Sequence, residues 1–278
     1  MSVELSYSMK TTLKKNFLLG VGVTNETSTK ILEYILLGLS KKGERYYIVT
    51  PNPEILVHAT THSGFKTILN NARLALCDGV GVFWAGKFLG KSFVARTTGV
   101  ELLETLCREA AEKPITVGFL GGKPGVAEKT AECLLAQHPG LKIVFVGLGW
   151  SDSRSVQKEK YQVVSIKYQV GIKKEKKLNT QYLIPNTPID ILFVAYGFPK
   201  QEEWMADNLD KNIYRVAMGV GGAFDYISGN VPRAPVFVRK LGLEWLFRLF
   251  LQPWRIKRQF SLLKFIGLVI REKQGVNK

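Results

Sequence analysis

Seven short apolar runs, each closing on glycine or another turn residue and alternating for the most part with helical patterns, constrain this chain more than any other feature. Asn16–Val23 (NFLLGVGV), Tyr46–Pro53 (YYIVTPNP), Leu74–Val82 (LALCDGVGV), Ile115–Gly122 (ITVGFLGG), Leu141–Gly149, Ile189–Gly197 and Tyr214–Gly222 read as strands. Helices are expected over Glu26–Leu39 behind a cap at Thr24 or Asn25, and over Glu54–His62, Gly125–Gln137 and Gln201–Asn208. Strands that are apolar throughout must be covered on both faces, and strands separated by helices run parallel. The expected fold is therefore α/β: a Rossmann-like, mostly parallel sheet with helices on both faces. In such sheets ligands sit at the carboxyl ends of the strands. That rule selects Thr50, Asn52, Asp78, Gly121, Gly122, Gln201 and Asp225 as the polar or glycine positions to examine.

The rhythm breaks twice. Residues 151–179 carry the charge run Lys173–Lys177 and read as a solvated excursion. After Asp225 the alternation gives way to an aromatic and leucine-rich tail. Residues 1–230 are expected to form the α/β domain and residues 231–278 a basic, amphipathic helical appendage. From Val231 to Lys278 eleven Lys and Arg face only Glu244 and Glu272, a net +9 of the chain's +16. Pro253 should divide this tail into two helices. Arg248, Arg255 and Arg258 are seven and three residues apart, a spacing that gathers guanidiniums on one side of a nearly continuous helical path.

An isoelectric point near 9.7 calls for an anionic partner. Nucleic acid is disfavoured, because the excess charge lies in a leucine-rich segment and no DNA- or RNA-binding motif accompanies it. A nucleotide-dependent oxidoreductase lacks its glycine fingerprint: Gly118–Gly125 (GFLGGKPG) follows a strand and precedes a helix but is not G-x-G-x-x-G. This tip is either a steric strand-to-helix turn or a diphosphate contact. Phe260–Ile270 is about half the ~20 residues that span a bilayer, so membrane contact is expected to be peripheral. The N-terminus lacks the apolar block of a secretory leader. Cys77, Cys107 and Cys133 are odd in number and scattered, as in a reducing cytoplasm.

Among single residues, Asp78 at a strand end is either a general base or the cap of the turn at Gly79. Arg96 precedes a helix capped by Thr98 and offers a forked donor for phosphate oxygens. Gln201 opens a helix after a strand and a proline turn. No metal site is expected, since His58 and His62 lack the glutamate of H-E-x-x-H and no Asp-x-Asp pair is present. A bound diphosphate would then be neutralised by arginines and backbone amides.

TPNPEILVHA, ALCDGVGVFWA, ARTTGVELLETL, GFLGGKPGVAEKTAECL, ILFVAYGFPKQEEWMADN and the block from GVGGAFDY to PWRIKRQ together resemble the WecG/TagA/CpsF family of bacterial glycosyltransferases. The resemblance runs from Asn16 to about Gln259. It implies an inverting, metal-independent and cofactor-free transferase of wall teichoic acid or surface polysaccharide synthesis. Such an enzyme moves an N-acetylmannosamine-type sugar from a UDP donor to GlcNAc on undecaprenyl diphosphate. UDP-glucose and the uronic acid of UDP-N-acetylmannosamine are alternative donors within the family.

By motif, the resemblance implies that Thr50 and Asn52 line the substrate pocket and that Asp78 is the base. It also implies that Arg96 and Gln201 contact donor or acceptor, and that Arg248, Arg255 and Arg258 close over the site and stabilise departing UDP. The enzyme is expected in the cytoplasm, peripheral on the anionic inner face of the membrane; a homo-oligomer is left open. Against the family pattern, Trp150–Ile189 is long and basic, and the tail runs on past Gln259.

Overall fold

The computed structural model describes residues 13–41, 43–147, 163–164 and 187–275, without the side chains of 163, 164, 257 and 258. In chain order the strands are β1 (Lys15–Leu18), β2 (Val21–Thr24), β3 (Tyr46–Val49), β4 (Leu74–Ala75), β5 (Thr116–Gly121), β6 (Lys142–Gly147), β7 (Val163–Val164), β8 (Ile189–Ala195) and β9 (Tyr214–Gly219). The helices are α1 (Ser28–Ser40), α2 (Pro53–Thr61), α3 (Ser63–Asn71), α4 (Val80–Phe88), α5 (Gly99–Ala111), α6 (Val126–Gln137), α7 (Lys200–Asp207), α8 (Ala223–Ile227), α9 (Val236–Lys240), α10 (Glu244–Leu251) and α11 (Ile256–Lys273).

Seven strands form the main sheet in the order β4-β3-β9-β8-β5-β6-β7. The first six are parallel and β7 pairs antiparallel at the edge. One apolar layer joins α1, α5 and α6 to the sheet through Ile35, Leu103, Leu106, Phe119, Leu134 and Phe193. The opposite layer, from α2, α3, α4, α7 and α11, is built around Leu56, Leu69, Val82, Met205 and Phe265. Helices cover both faces, as the continuous apolar strands require.

Three local expectations are corrected. Asn16–Val23 is a two-strand antiparallel hairpin outside the main sheet, because Leu19 and Gly20 take φ of 51° and 78° and reverse the chain. Such left-handed turns suit the twist of a hairpin. The first helix starts at Ser28, where the Thr27 hydroxyl accepts from the Lys30 N–H at 3.3 Å. The third run ends as a strand at Ala75; Gly79, at φ 88°, turns the chain into helix α4, so Val80 and Val82 are helical.

The tail breaks where proline requires it. Pro253–Arg255 is a single 3-10 turn between α10 and α11. α11 lies along α2 and inserts Phe265 and Val269, 2% and 5% exposed, into the second core layer. Among the described residues no helix is long and apolar enough to cross a membrane. Apart from β7, the excursion at 151–179 lies outside the described residues.

Candidate active site

The carboxyl ends of β3, β4, β5, β8 and β9 open on one cavity of about 1330 Å³, roofed by the tail. Thr50, Asn52, Asp78, Arg96, Gly122, Gln201, Asp225, Arg248 and Arg255 all line it. The strand tips bring Thr50 and Asp225, 175 positions apart, to one cavity, and the tail adds Arg248 and Arg255 to it, which is how a parallel sheet assembles a site from separate motifs.

Thr50 directly follows β3 and donates its hydroxyl to the Gly219 carbonyl of β9 at 3.2 Å, tying two strand tips together. Asn52 caps α2, its Oδ1 accepting from Ile55 N at 3.1 Å. The cap engages only the amide oxygen of Asn52, not its Nδ2.

Asp78 sits where β4 gives way to α4. Loss of solvent around its carboxyl pushes the pKa up to about 7. The Gly99 N–H and the Arg96 charge oppose that rise, while Glu244 and Glu101 reinforce it. A carboxyl titrating near neutrality is suited to taking a proton from a hydroxyl. Arg96 spans the cavity floor and the roof: its Nη2 donates to the Arg239 carbonyl at the end of α9, 2.8 Å away.

Arg248 comes down from α10 onto Asp225, with Nη2 to Oδ2 at 2.8 Å, and its guanidinium lies 4.8 Å from the Tyr226 ring. A Cβ on Gly222 would stand 2.4 Å from Arg248 Nη1, so the absence of a side chain there admits the arginine. Arg255, in the turn before α11, donates to Gln252 Oε1 at 3.4 Å and lines the same cavity. Arg258 falls in α11, and its side chain lies outside what the structure describes.

Gln201 is 2% exposed, and both ends of its amide are engaged. Its Oε1 accepts from Gly221 N at 3.0 Å and its Nε2 donates to Glu202 Oε1 at 2.8 Å. Gln201 therefore shapes the β9 tip as well as lining the cavity. Gly121 does not line it. A Cβ there would lie 2.9 Å from the Ala195 carbonyl carbon of β8, and φ is 103°, so close strand packing explains this glycine.

Sequence reasoning missed several lining groups. Trp84 and Phe88 belong to α4, whose first three residues fall in the Leu74–Val82 run that reads as a strand. Glu244 and Trp245 belong to α10 and also face the cavity. Their signal was the four-residue spacing of Trp84 and Phe88, obscured by a continuous apolar run. His58 and His62 do not line the cavity: their rings stack on each other at 3.7 Å, and His58 meets Phe65 and Phe198 edge-on.

Chemically, the cavity combines a neutral-range carboxyl with three guanidiniums on its wall. The model of the "Glycosyl transferase WecG/TagA/CpsF family" matches residues 16–278. A relative from Bacillus spizizenii, named N-acetylglucosaminyldiphosphoundecaprenol N-acetyl-beta-D-mannosaminyltransferase, is 32% identical over 232 residues, 84% of this chain and 81% of its own. A protein of the same name from Staphylococcus aureus is 28% identical over 262 residues, 94% of each chain.

Proposed function

Because the chain belongs to the WecG/TagA/CpsF family of glycosyl transferases, we propose that it moves an N-acetylmannosamine-type sugar from a UDP donor to GlcNAc carried on undecaprenyl diphosphate. The names of the relatives motivate the acceptor and the sugar. The observation that carries the reading is that one cavity holds Asp78, titrating at about 7, together with Arg96, Arg248 and Arg255.

The acceptor hydroxyl oxygen attacks the anomeric carbon of the donor sugar from the side away from UDP. The bond from that carbon to the UDP phosphate oxygen breaks, its electron pair leaves with UDP, and the hydroxyl proton passes to Asp78. One displacement inverts the anomeric centre. Negative charge grows on the departing diphosphate, and guanidiniums fixed in a partly dry cavity stabilise it more as bond breaking proceeds. Arg96, Arg248 and Arg255 all line the cavity where the diphosphate would depart, and Arg248 is held there by its pair with Asp225. We read the reaction as metal-independent because these arginines take the place of a cation at the diphosphate.

The test is UDP release from a panel of UDP-sugars, including UDP-glucose and the uronic acid, with a short-chain lipid-diphosphate GlcNAc acceptor. Assays with and without chelator accompany it, and the anomeric configuration of the product is read by NMR. UDP-N-acetylmannosamine should be preferred, chelator should leave the rate unchanged, and the product should be inverted. Transfer from no UDP-sugar would remove the reading; retention or loss of rate on chelation would remove that part of the mechanism.

A further inference from the structure

The cavity that holds Asp78 is also lined by apolar side chains of α4 and α11. Trp84 and Phe88 of α4 lie one turn apart, and Leu262, Ile266 and Ile270 of α11 repeat every four residues, so each helix presents a stripe. All five line the same cavity as Asp78. Trp84 and Phe88 are 56% and 52% exposed, and Ile266 and Ile270 are 49% and 43% exposed. α11 buries its neighbouring Phe265 and Val269 in the core, so the exposed stripe is a second face rather than the helix's packing face. Glycine lets α2, α4 and α11 converge beside Asp78: a Cβ on Gly81 would stand 2.8 Å from Pro53 Cγ and 3.9 Å from Leu262 Cδ1.

Cations mark the outer rim. Lys87 Nζ lies 5.0 Å from the Trp84 ring and Lys273 Nζ 5.8 Å from the Phe88 ring. We propose that the α4–α11 groove binds the isoprene units of the lipid acceptor nearest its diphosphate. The inference rests on the proposed function and locates part of its substrate. The argument is continuity. An acceptor whose hydroxyl reaches Asp78 must lead its hydrocarbon out of the cavity, and this groove is a wall that gains by receiving it. Lys87 and Lys273 then stand where the chain emerges toward anionic headgroups.

The test uses soluble GlcNAc-diphosphate acceptors carrying one, two or three isoprene units, without detergent or vesicles, so that no bilayer contributes. Wild-type KM should fall roughly tenfold across the series as methylenes leave water. Trp84→Ser and Ile266→Ser should flatten that fall to about twofold or less. A flat wild-type series, or variants that keep the wild-type gradient, would overturn the inference. Independently of any variant's folding, sugar-free prenyl diphosphates should bind the wild-type protein with affinity rising with chain length, read by tryptophan fluorescence and calorimetry. Chain-length-independent binding overturns the groove. If no UDP-sugar is transferred but prenyl diphosphates bind with the expected gradient, the function reading fails and the hydrocarbon site stands.

Discussion

Two carboxyl groups are pushed up to about 7 by loss of solvent, and they do different work. Asp78 faces the cavity, so its titration should appear in catalysis. Below about pH 7 it is protonated and cannot accept the acceptor's proton; kcat/KM should therefore rise with pH through about 7 and level above it. Asp78→Asn should lose that limb and about 10²–10⁴-fold in kcat. A pH-rate profile of the variant that retains the full limb would assign the base elsewhere.

Glu202 is fully buried, and Gln201 Nε2 donates to its Oε1 at 2.8 Å. Its folded-state pKa is raised from 4.5, so the folded chain holds this proton more tightly than the unfolded chain does. Stability is then fully present below about 4.5 and is lost as pH climbs to about 7. Glu202→Gln keeps an acceptor for Gln201 and removes the titration. Denaturation at about pH 5 and about pH 8 should show the variant gaining ~1–3 kcal/mol over wild type at the higher pH. Equal differences at both pH values would sink this account.

At this scale Thr50, Asn52 and Asp78 were legible, because parallel sheets collect strand ends. Glu202 was not: nothing in the pair Glu202-Glu203 says that the first is buried and the second exposed.

Among elements, the main sheet was legible wherever strand and helix alternated at full length. The hairpin and α4 were not, and for one reason. In NFLLGVGV and CDGVGVFWA the apolar residues run nearly unbroken, so neither period two nor period 3.6 shows. Backbone conformation decided both, through Leu19-Gly20 and Gly79.

The hairpin also holds the end of α11. Glu272 accepts from Lys91 Nζ at 2.7 Å and from Leu19 N at 2.8 Å, while Lys91 donates to the Phe17 carbonyl at 2.9 Å. The pair is partly exposed, so its contribution is about 1 kcal/mol rather than that of a buried ion pair. Glu272→Ala should lower stability by about that amount and speed amide exchange in the last turns of α11 more than in the central strands. Uniform exchange throughout the protein would show that this contact does not anchor the helix.

For the molecule as a whole, the tail is both roof and core. Arg233 pairs with Glu104 of α5 at 2.9 Å, Arg96 holds the Arg239 carbonyl, and Phe265 and Val269 fill the layer over α2. Deleting residues 230–278 would therefore strip apolar groups from the fold, and any loss of membrane recovery would be confounded by unfolding. The outer surface of the same tail is separable. Phe250, Trp254, Phe260 and Leu263 are 77%, 71%, 63% and 67% exposed, and they lie in the segment that carries +9 of the chain's net +16. An apolar surface set among cations suits an anionic bilayer, where each basic residue near the surface adds roughly 1 kcal/mol. Changing Phe250, Trp254 and Phe260 together to Ser should leave the thermal melt within a few degrees of wild type, because these side chains contribute little to the core. The same variant should lose flotation with anionic vesicles, and wild-type flotation should fall as salt screens the attraction. Undiminished flotation of a folded triple variant would show that membrane arrival uses another face.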